Sequence, residues 1–338
     1  MESSPKIWSI PGKVFLLGEY AVLGGGPAWI ATVGPRFWLE GAESAGQSLS
    51  SFGVDVRVFA PESPAGRLLS LALVRGAERP QACFDDPFRG SGGFGASTAQ
   101  FALLYRFLAE TNPGHFDAGG LSCWRTYREL MGAQASASAS ASPIPPSGAD
   151  LAAQIAGGVC RFDPERPVCE RQSTEFQWSN FLIFSAAWQA GRKAATHTHL
   201  AELGKRDVGV AEFARELSPI LEQADESIAS GDLLGMGRIL EAYGDTLAGL
   251  GLEITRTRED REAIRRLPGV LGVKGAGALQ ADAVIVLIDP ARADVPNLVA
   301  LIEHRGLRFV GTADASEPGL RSESNANLPR PESGEVPR

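Results

Sequence analysis

Histidine, methionine and cysteine are scarce in this chain, with 4, 3 and 4 residues among 338. The cysteines, Cys83, Cys123, Cys160 and Cys169, stand far apart without a C-x-x-C pair. Neither a zinc ribbon nor a disulfide framework is predicted, and they read as small core residues of a reducing compartment. No apolar run approaches the ~20 residues that cross a bilayer; the longest are stretches such as Ala283–Ile288. The opening Met1–Ser9 is short, polar and broken by Pro5, unlike a signal peptide, so a cytoplasmic location is expected. Basic residues are outnumbered, 32 Lys and Arg against 40 Asp and Glu, for a net charge of -8. That balance excludes the broad basic face needed for non-specific nucleic-acid binding, although a few local cations can still hold a small anion. Solenoid repeats and a Walker G-x-x-x-x-G-K-[ST] loop are also missing.

What is present is ordinary globular composition, 44% hydrophobic with 39 Gly and 22 Pro, and a length that suggests two domains. The first half alternates apolar and polar residues between Gly and Pro, predicting short strands at Lys6–Trp8, Val14–Leu17, Ala28–Ile30 and Val54–Phe59. Leu68–Val74 fits a strand or a helix. Helices are expected over Ala96–Glu110, where Phe101, Leu104, Tyr105 and Leu108 share a face, over Leu121–Met131 and from Ala149. Between them Ala133–Pro146, a Ser/Ala repeat ending in prolines, has little to bury and reads as a surface loop. After a buried strand at Phe181–Ala186, helices are predicted at Ala194–Leu203, Val208–Ser230, Asp232–Leu250, Arg258–Leu267 and Leu298–His304. Strands are expected at Val270–Val273, Val284–Ile288 and Leu307–Val310, and fraying after about Ala313. The pattern is α+β.

Three glycine-rich stretches carry the chemistry. Pro11-Gly12-Lys13-Val14-Phe15-Leu16-Leu17-Gly18-Glu19-Tyr20 sets a lysine beside a Pro-Gly turn, which would fix its stem and aim its ammonium. Gly90-Ser91-Gly92-Gly93-Phe94-Gly95-Ala96-Ser97-Thr98 opens a helix, where glycines admit an oxyanion and the first amides and the dipole attract it. Gly90, Gly92 and Gly95 also satisfy G-x-G-x-x-G, but the preceding Cys83–Arg89 is polar and broken by Pro87 and the next acid, Glu110, lies inside the helix. A nicotinamide site is therefore the weakest reading. Val273-Lys274-Gly275-Ala276-Gly277 forms a third turn between two strands. His197 and His199, two apart on a helix, point to different faces and do not predict a shared metal.

The order of these stretches, with Ser147-Gly148-Ala149-Asp150 between the second and third, resembles the GHMP small-molecule kinase family over roughly residues 6–311. Within that family, Pro-Gly-Lys-Val-Phe-Leu-Leu-Gly-Glu-Tyr-Ala-Val-Leu looks most like phosphomevalonate and mevalonate kinases, and Trp188–Thr196 is similar to the W-T-G-x-x-A-S-T of the former. Asp282 sits where they have the aspartate that closes their G-A-G-G-G-D run.

The resemblance implies a two-domain α+β fold with the active site in the cleft between residues 1–180 and 181–312, followed by a disordered tail at 313–338. It implies ATP and Mg²⁺ as nucleotide and cofactor and transfer of the γ-phosphate to 5-phosphomevalonate. Mevalonate as acceptor, or a degenerate binding protein, are the alternatives. Lys13 and Asp150 would be catalytic; Gly92, Gly93, Phe94, Gly95, Ala96, Ser97 and Thr98 would wrap the nucleotide phosphates, with Ser97 on the metal. Glu19, Tyr20, Ser147, Gly148, Lys274, Gly275 and Gly277 would join Lys13 and Asp150 around the acceptor, and Arg192, Lys193 and Thr196 would cradle an acceptor phosphate. A monomer or homodimer is expected, with no nucleic-acid or membrane partner. The chain departs from the family at Ala96, which replaces a serine, before the loop, where only Arg89, Gly90 and Ser91 stand, and at Ala278-Leu279-Gln280, which add side chains to a glycine run.

Overall fold

The computed structural model describes residues 5–42, 53–137, 144–172, 175–186, 199, 203 and 210–323. Its first half is built on β1 (Lys6–Leu17), a central strand paired antiparallel with β2 (Ala28–Gly41). β2 also pairs with β4 (Ala82–Asp85) and, further along, with β5 (Val159–Asp163), while β3 (Val54–Asp55) and β6 (Arg166–Arg171) extend the two branches. The expected strand at Val54–Phe59 is thus two residues long and turns at once into a 3-10 segment, because the Asp55 carboxylate accepts from the Arg57 amide and starts a turn. The ambiguous Leu68–Val74 belongs to helix α1 (Pro64–Val74), capped by Ser63, whose hydroxyl accepts from the Gly66 amide at 3.1 Å, with Pro64 in the first turn.

Helix α2 (Ala96–Thr111) turns Phe101, Leu104, Tyr105 and Leu108 into the core, and α3 (Gly120–Ala137) lies nearby. The Ser/Ala segment expected as loop is helical as far as Ala137, as suits its alanine content; residues 138–143 lie outside the described residues. Helix α4 (Ala149–Ala156) follows and packs on β1 and β6.

The second half carries a four-stranded antiparallel sheet in the order β10 (Arg308–Thr312), β7 (Phe181–Ser185), β9 (Ala283–Ile288), β8 (Val270–Ala276). Helices α5 (Val210–Ser230), α6 (Leu233–Gly249), α7 (Thr255–Ile264) and α8 (Val295–Glu303) accompany it. Every residue of β9 is buried, which explains why its sequence runs Ala-Val-Ile-Val-Leu-Ile without alternation. The largest hydrophobic cluster joins Trp8, Phe101 and Leu104 to Leu240, Ile285 and Leu287, so the two sheets share one core.

The end of the chain corrects an expectation. Instead of fraying directly after Ala313, it returns to the first sheet: Ala313 is fully buried and β11 (Arg321–Glu323) pairs with β1, while residues 324–338 of the expected tail lie outside the described residues. Arg36 anchors this return, donating to the carbonyls of Pro318 and Gly319 at 2.6 and 2.7 Å and pairing with Glu317. Glu317 pairs with Arg36 of β2 and Glu323 accepts from the Ser9 hydroxyl of β1, contacts that composition alone does not report. Among the described residues no helix is long and apolar enough to cross a membrane.

Candidate functional site

The Pro-Gly turn expected before Lys13 is a bulge inside a continuous strand. Register with β2 shifts between Pro11 and Gly12, where a proline that cannot donate is tolerated. The shift matters for the site, because the Lys13 amide donates to the carbonyl of Phe94, in the glycine-rich loop, at 3.1 Å. Gly12 is needed for the same approach, since a β-carbon there would stand 2.8 Å from the Phe88 ring. Phe88 in turn stacks on Phe94, with ring centroids 4.5 Å apart, so the loop is pinned by its one large side chain.

The Lys13 side chain is nearly buried and its ammonium lies 4.9 Å from the centroid of the Phe15 ring. It forms an ion pair of 2.9 Å with Asp150 Oδ2. Asp150 stands in the first turn of α4, where the helix dipole favours a carboxylate, and its side chain is 31% exposed. The motif around it is fixed from α3: Trp124 Nε1 donates to the Gly148 carbonyl at 3.1 Å and the Arg128 guanidinium donates to the Pro146 carbonyl. Ser147 Oγ accepts from the Ala149 amide at 3.3 Å.

Helices α2 and α4 both start at a glycine in the left-handed conformation, Gly95 (φ 84°) and Gly148 (φ 76°), and neither has a side-chain cap. Helix starts of this kind leave first-turn amides for an anion. Ser97 is exposed on the first turn of α2. Thr98 differs from expectation: its hydroxyl is buried and donates to Gln154 Oε1 at 2.6 Å, which turns it away from a ligand. Gln154, fully buried, also donates to the Pro11 carbonyl at 2.8 Å and so ties β1, α2 and α4 together. Sequence reasoning missed it, although an amide in the otherwise apolar Leu151–Ala156 was a visible signal.

The third glycine stretch divides its residues between two tasks. Lys274 was expected on the wall of the cleft; it is fully buried, paired with Glu19 and donating to the Gly275 carbonyl at 2.6 Å. Burial pulls its ammonium below the usual lysine range, against the opposing pull of Glu19. Glu19 is buried too and accepts from Gln280 Nε2 at 2.8 Å. Tyr20 is likewise buried, its hydroxyl accepting from the Leu279 amide at 2.8 Å and meeting His199 Nε2 at 3.0 Å. Glu19, Tyr20 and Lys274 therefore brace the turn from beneath and do not line an open site. Gly275 is enclosed by Gln280 and Thr257. Arg192, Lys193 and Thr196, with the rest of Trp188–Thr196, lie outside the described residues, as does His197.

Asp282, given no role from sequence, is the residue on which the glycine stretches converge. A β-carbon at Gly92 would stand 2.6 Å from its Oδ1, one at Gly93 2.6 Å from its Cβ, and one at Gly277 would overlap Oδ2. The residue is 9% exposed and burial pushes its carboxyl up to about 6, opposed by the nearby Lys13 cation and a hydrogen bond from the Ala278 amide. Away from this cluster, a cavity of about 140 Å³ is lined by Arg57, Phe59, Pro61, Leu69, Leu73 and Arg79 among others. A run of ring contacts, Phe59–Phe84–Phe37–Phe88–Phe94, connects it to the loop.

This arrangement, two sheets joined by a glycine-rich loop before a helix, is the GHMP kinase fold. Galactokinase of Lactococcus lactis, solved with galactose, superimposes with a TM-score of 0.70 at 13% identity, over 95% of each chain. Mevalonate kinase of Methanococcus jannaschii gives 0.67 at 16% identity, covering 93% of this chain and 99% of its own. Phosphomevalonate kinase of Streptococcus pneumoniae also gives 0.67 at 16% identity, covering 92% and 100%. No family model and no curated protein matches the sequence.

Proposed function

We propose that this protein is an ATP- and Mg²⁺-dependent small-molecule kinase that phosphorylates 5-phosphomevalonate to diphosphomevalonate. The observation that carries the reading is the Lys13–Asp150 pair at 2.9 Å, held against the glycine loop by the Lys13 amide and left part-open on the Asp150 side. Phosphoryl transfer needs little beyond positioning and charge neutralisation, so a lysine, a carboxylate and a set of free amides form an adequate set.

On this reading the amides at the start of α2 and the glycines Gly92, Gly93 and Gly95 receive the nucleotide phosphates, and Lys13 draws negative charge toward the acceptor oxygen. Asp150 accepts the proton of an acceptor hydroxyl; where the acceptor is a phosphate, already ionised near neutral pH, it serves to hold Lys13 in place. The donor set suits the metal: a hydroxyl on the first turn of α2 (Ser97) and a carboxylate in a cradle that β-carbons would fill (Asp282) are hard oxygen ligands. When bound, Mg²⁺ supplies neutralisation of phosphate charge.

The experiment is ADP release with Mg-ATP, run separately with 5-phosphomevalonate and with mevalonate. Turnover with the phosphorylated acceptor alone supports the proposal and gives Arg192 and Lys193 their role. Turnover with mevalonate alone moves the assignment to mevalonate kinase. Silence with both, from folded protein that binds nucleotide, leaves the binding role.

A further inference from the structure

The glycine cradle that the proposed kinase reading gives to phosphate already holds an anion. The Asp282 carboxylate is enclosed by Gly92 and Gly93 from the loop before α2 and by Gly277 from the turn after β8, each with room for a hydrogen and none for a methyl group. It accepts from the Ala278 amide, and the charged groups facing it are Lys13 on β1 and, through the 2.9 Å ion pair, Asp150 on α4. A structural acceptor for the Ala278 amide could be any short polar residue in an ordinary turn. It would not need the loop of the other sheet folded onto it at two glycines, Gly92 and Gly93. Asp282 is also separate from the Lys13–Asp150 ion pair assigned to the chemistry, and the kinase reading uses its charge only toward the metal.

Bare triphosphate entering this cradle meets a like charge in a buried setting, where Coulomb repulsion is several times stronger than in water. A divalent cation carried with the triphosphate reverses the sign of that encounter. We propose that Asp282 makes the cradle selective for the cation-loaded nucleotide, repelling free triphosphate and attracting the metal that accompanies it. The inference rests on the kinase reading, and it assigns this residue a specificity role that the Lys13–Asp150 pair does not supply.

The test is calorimetric binding of the non-hydrolysable analogue AMPPNP to the full chain, once with excess MgCl₂ and once in EDTA. The ratio of the two dissociation constants is compared among wild type, Asp282→Asn and Asp282→Ser. Removing one buried like charge is expected to shrink that ratio by at least about 10-fold, mainly through tighter metal-free binding. The serine variant, smaller and still able to accept from Ala278, guards against an unfolded asparagine variant, and a thermal melt checks both. An unchanged ratio in folded variants that still bind AMPPNP would overturn the inference and leave the kinase reading standing. Wild-type protein that binds AMPPNP under neither condition would overturn the kinase reading, and the inference with it.

Discussion

Asp282→Asn is expected to stabilise the ligand-free protein near neutral pH, by an amount that follows from its burial. The asparagine has nearly the same shape and keeps an oxygen for the Ala278 amide, so the change removes charge and little else. Burial raises the carboxyl from 3.8 to about 6 in the folded protein. A difference of about 2 at roughly 1.36 kcal/mol for each is a cost of about 3 kcal/mol for keeping Asp282 ionised when folded. The sign is fixed by linkage. A carboxyl with a raised folded value contributes most below its unfolded value, and that contribution is lost as pH rises through about 6. The advantage of asparagine is therefore full above pH 7, declines between about 6 and 4, and is absent below that. For a chain of 338 residues, roughly 2.1 cal/mol/K per residue converts 3 kcal/mol into a melting shift of about 4 °C. The assay is thermal unfolding in EDTA at pH 8 and at pH 4, wild type against variant. A gain at both pH values, or at neither, would refute the reasoning, since only charge burial gives this pH window. A stability gain coupled to loss of cation selectivity is the trade expected where a carboxylate is held for function.

Five further substitutions probe the rest of the site. Lys13→Ala and Asp150→Ala should each lower turnover by at least about 100-fold with an unchanged far-UV spectrum, because both groups act on the transferring phosphoryl; wild-type-like turnover in either would remove the mechanism. Gly95→Ala forces a left-handed residue to carry a β-carbon 3.0 Å from Lys13 Cγ and Gln154 Nε2, so nucleotide affinity should fall and about 1–2 kcal/mol of stability with it, read by urea unfolding and AMPPNP titration. Lys274→Met leaves the Glu19 carboxylate buried without its cation and should cost about 3–5 kcal/mol, most of it restored by adding Glu19→Gln; a double variant no more stable than the single one would show that the pair is not coupled.

Periodicity placed α2 over nearly its full length, because Phe101, Leu104, Tyr105 and Leu108 are all buried, and Val284–Ile288 read as a strand, which the structure begins one residue earlier and buries throughout. The return of β11 was illegible because Arg321-Ser322-Glu323 is polar and its stability comes from Arg36, nearly 300 residues away. The site divides in the same way. Lys13, Asp150 and the glycine loop carry local signals, namely a bulge, a helix start and a run without side chains. Asp282 closes the third glycine run and Gln154 is a lone amide among apolar residues, but what they touch appears only when β1, α2, α4 and the β8 turn are brought together.

The first glycine stretch also shows why a motif's residues need not share a task. It contributes one member to each of two lysine–carboxylate pairs, Lys13 with Asp150 and Glu19 with Lys274. Exposure separates them. Asp150 is 31% exposed and can meet a ligand atom, whereas Lys274 is fully enclosed and its pairing cannot be exchanged without opening the turn. What the second pair supports is visible in the backbone: Leu279 and Gln280 sit at φ 52° and 58°, a region that costs side-chain-bearing residues free energy. Glu19 holds the Gln280 amide and the Tyr20 hydroxyl holds the Leu279 amide, so the Gly-Glu-Tyr of the first stretch restrains the strained residues of the third. The two strained residues are thus held from within the same pair of motifs, in the turn that brings Asp282 to the loop.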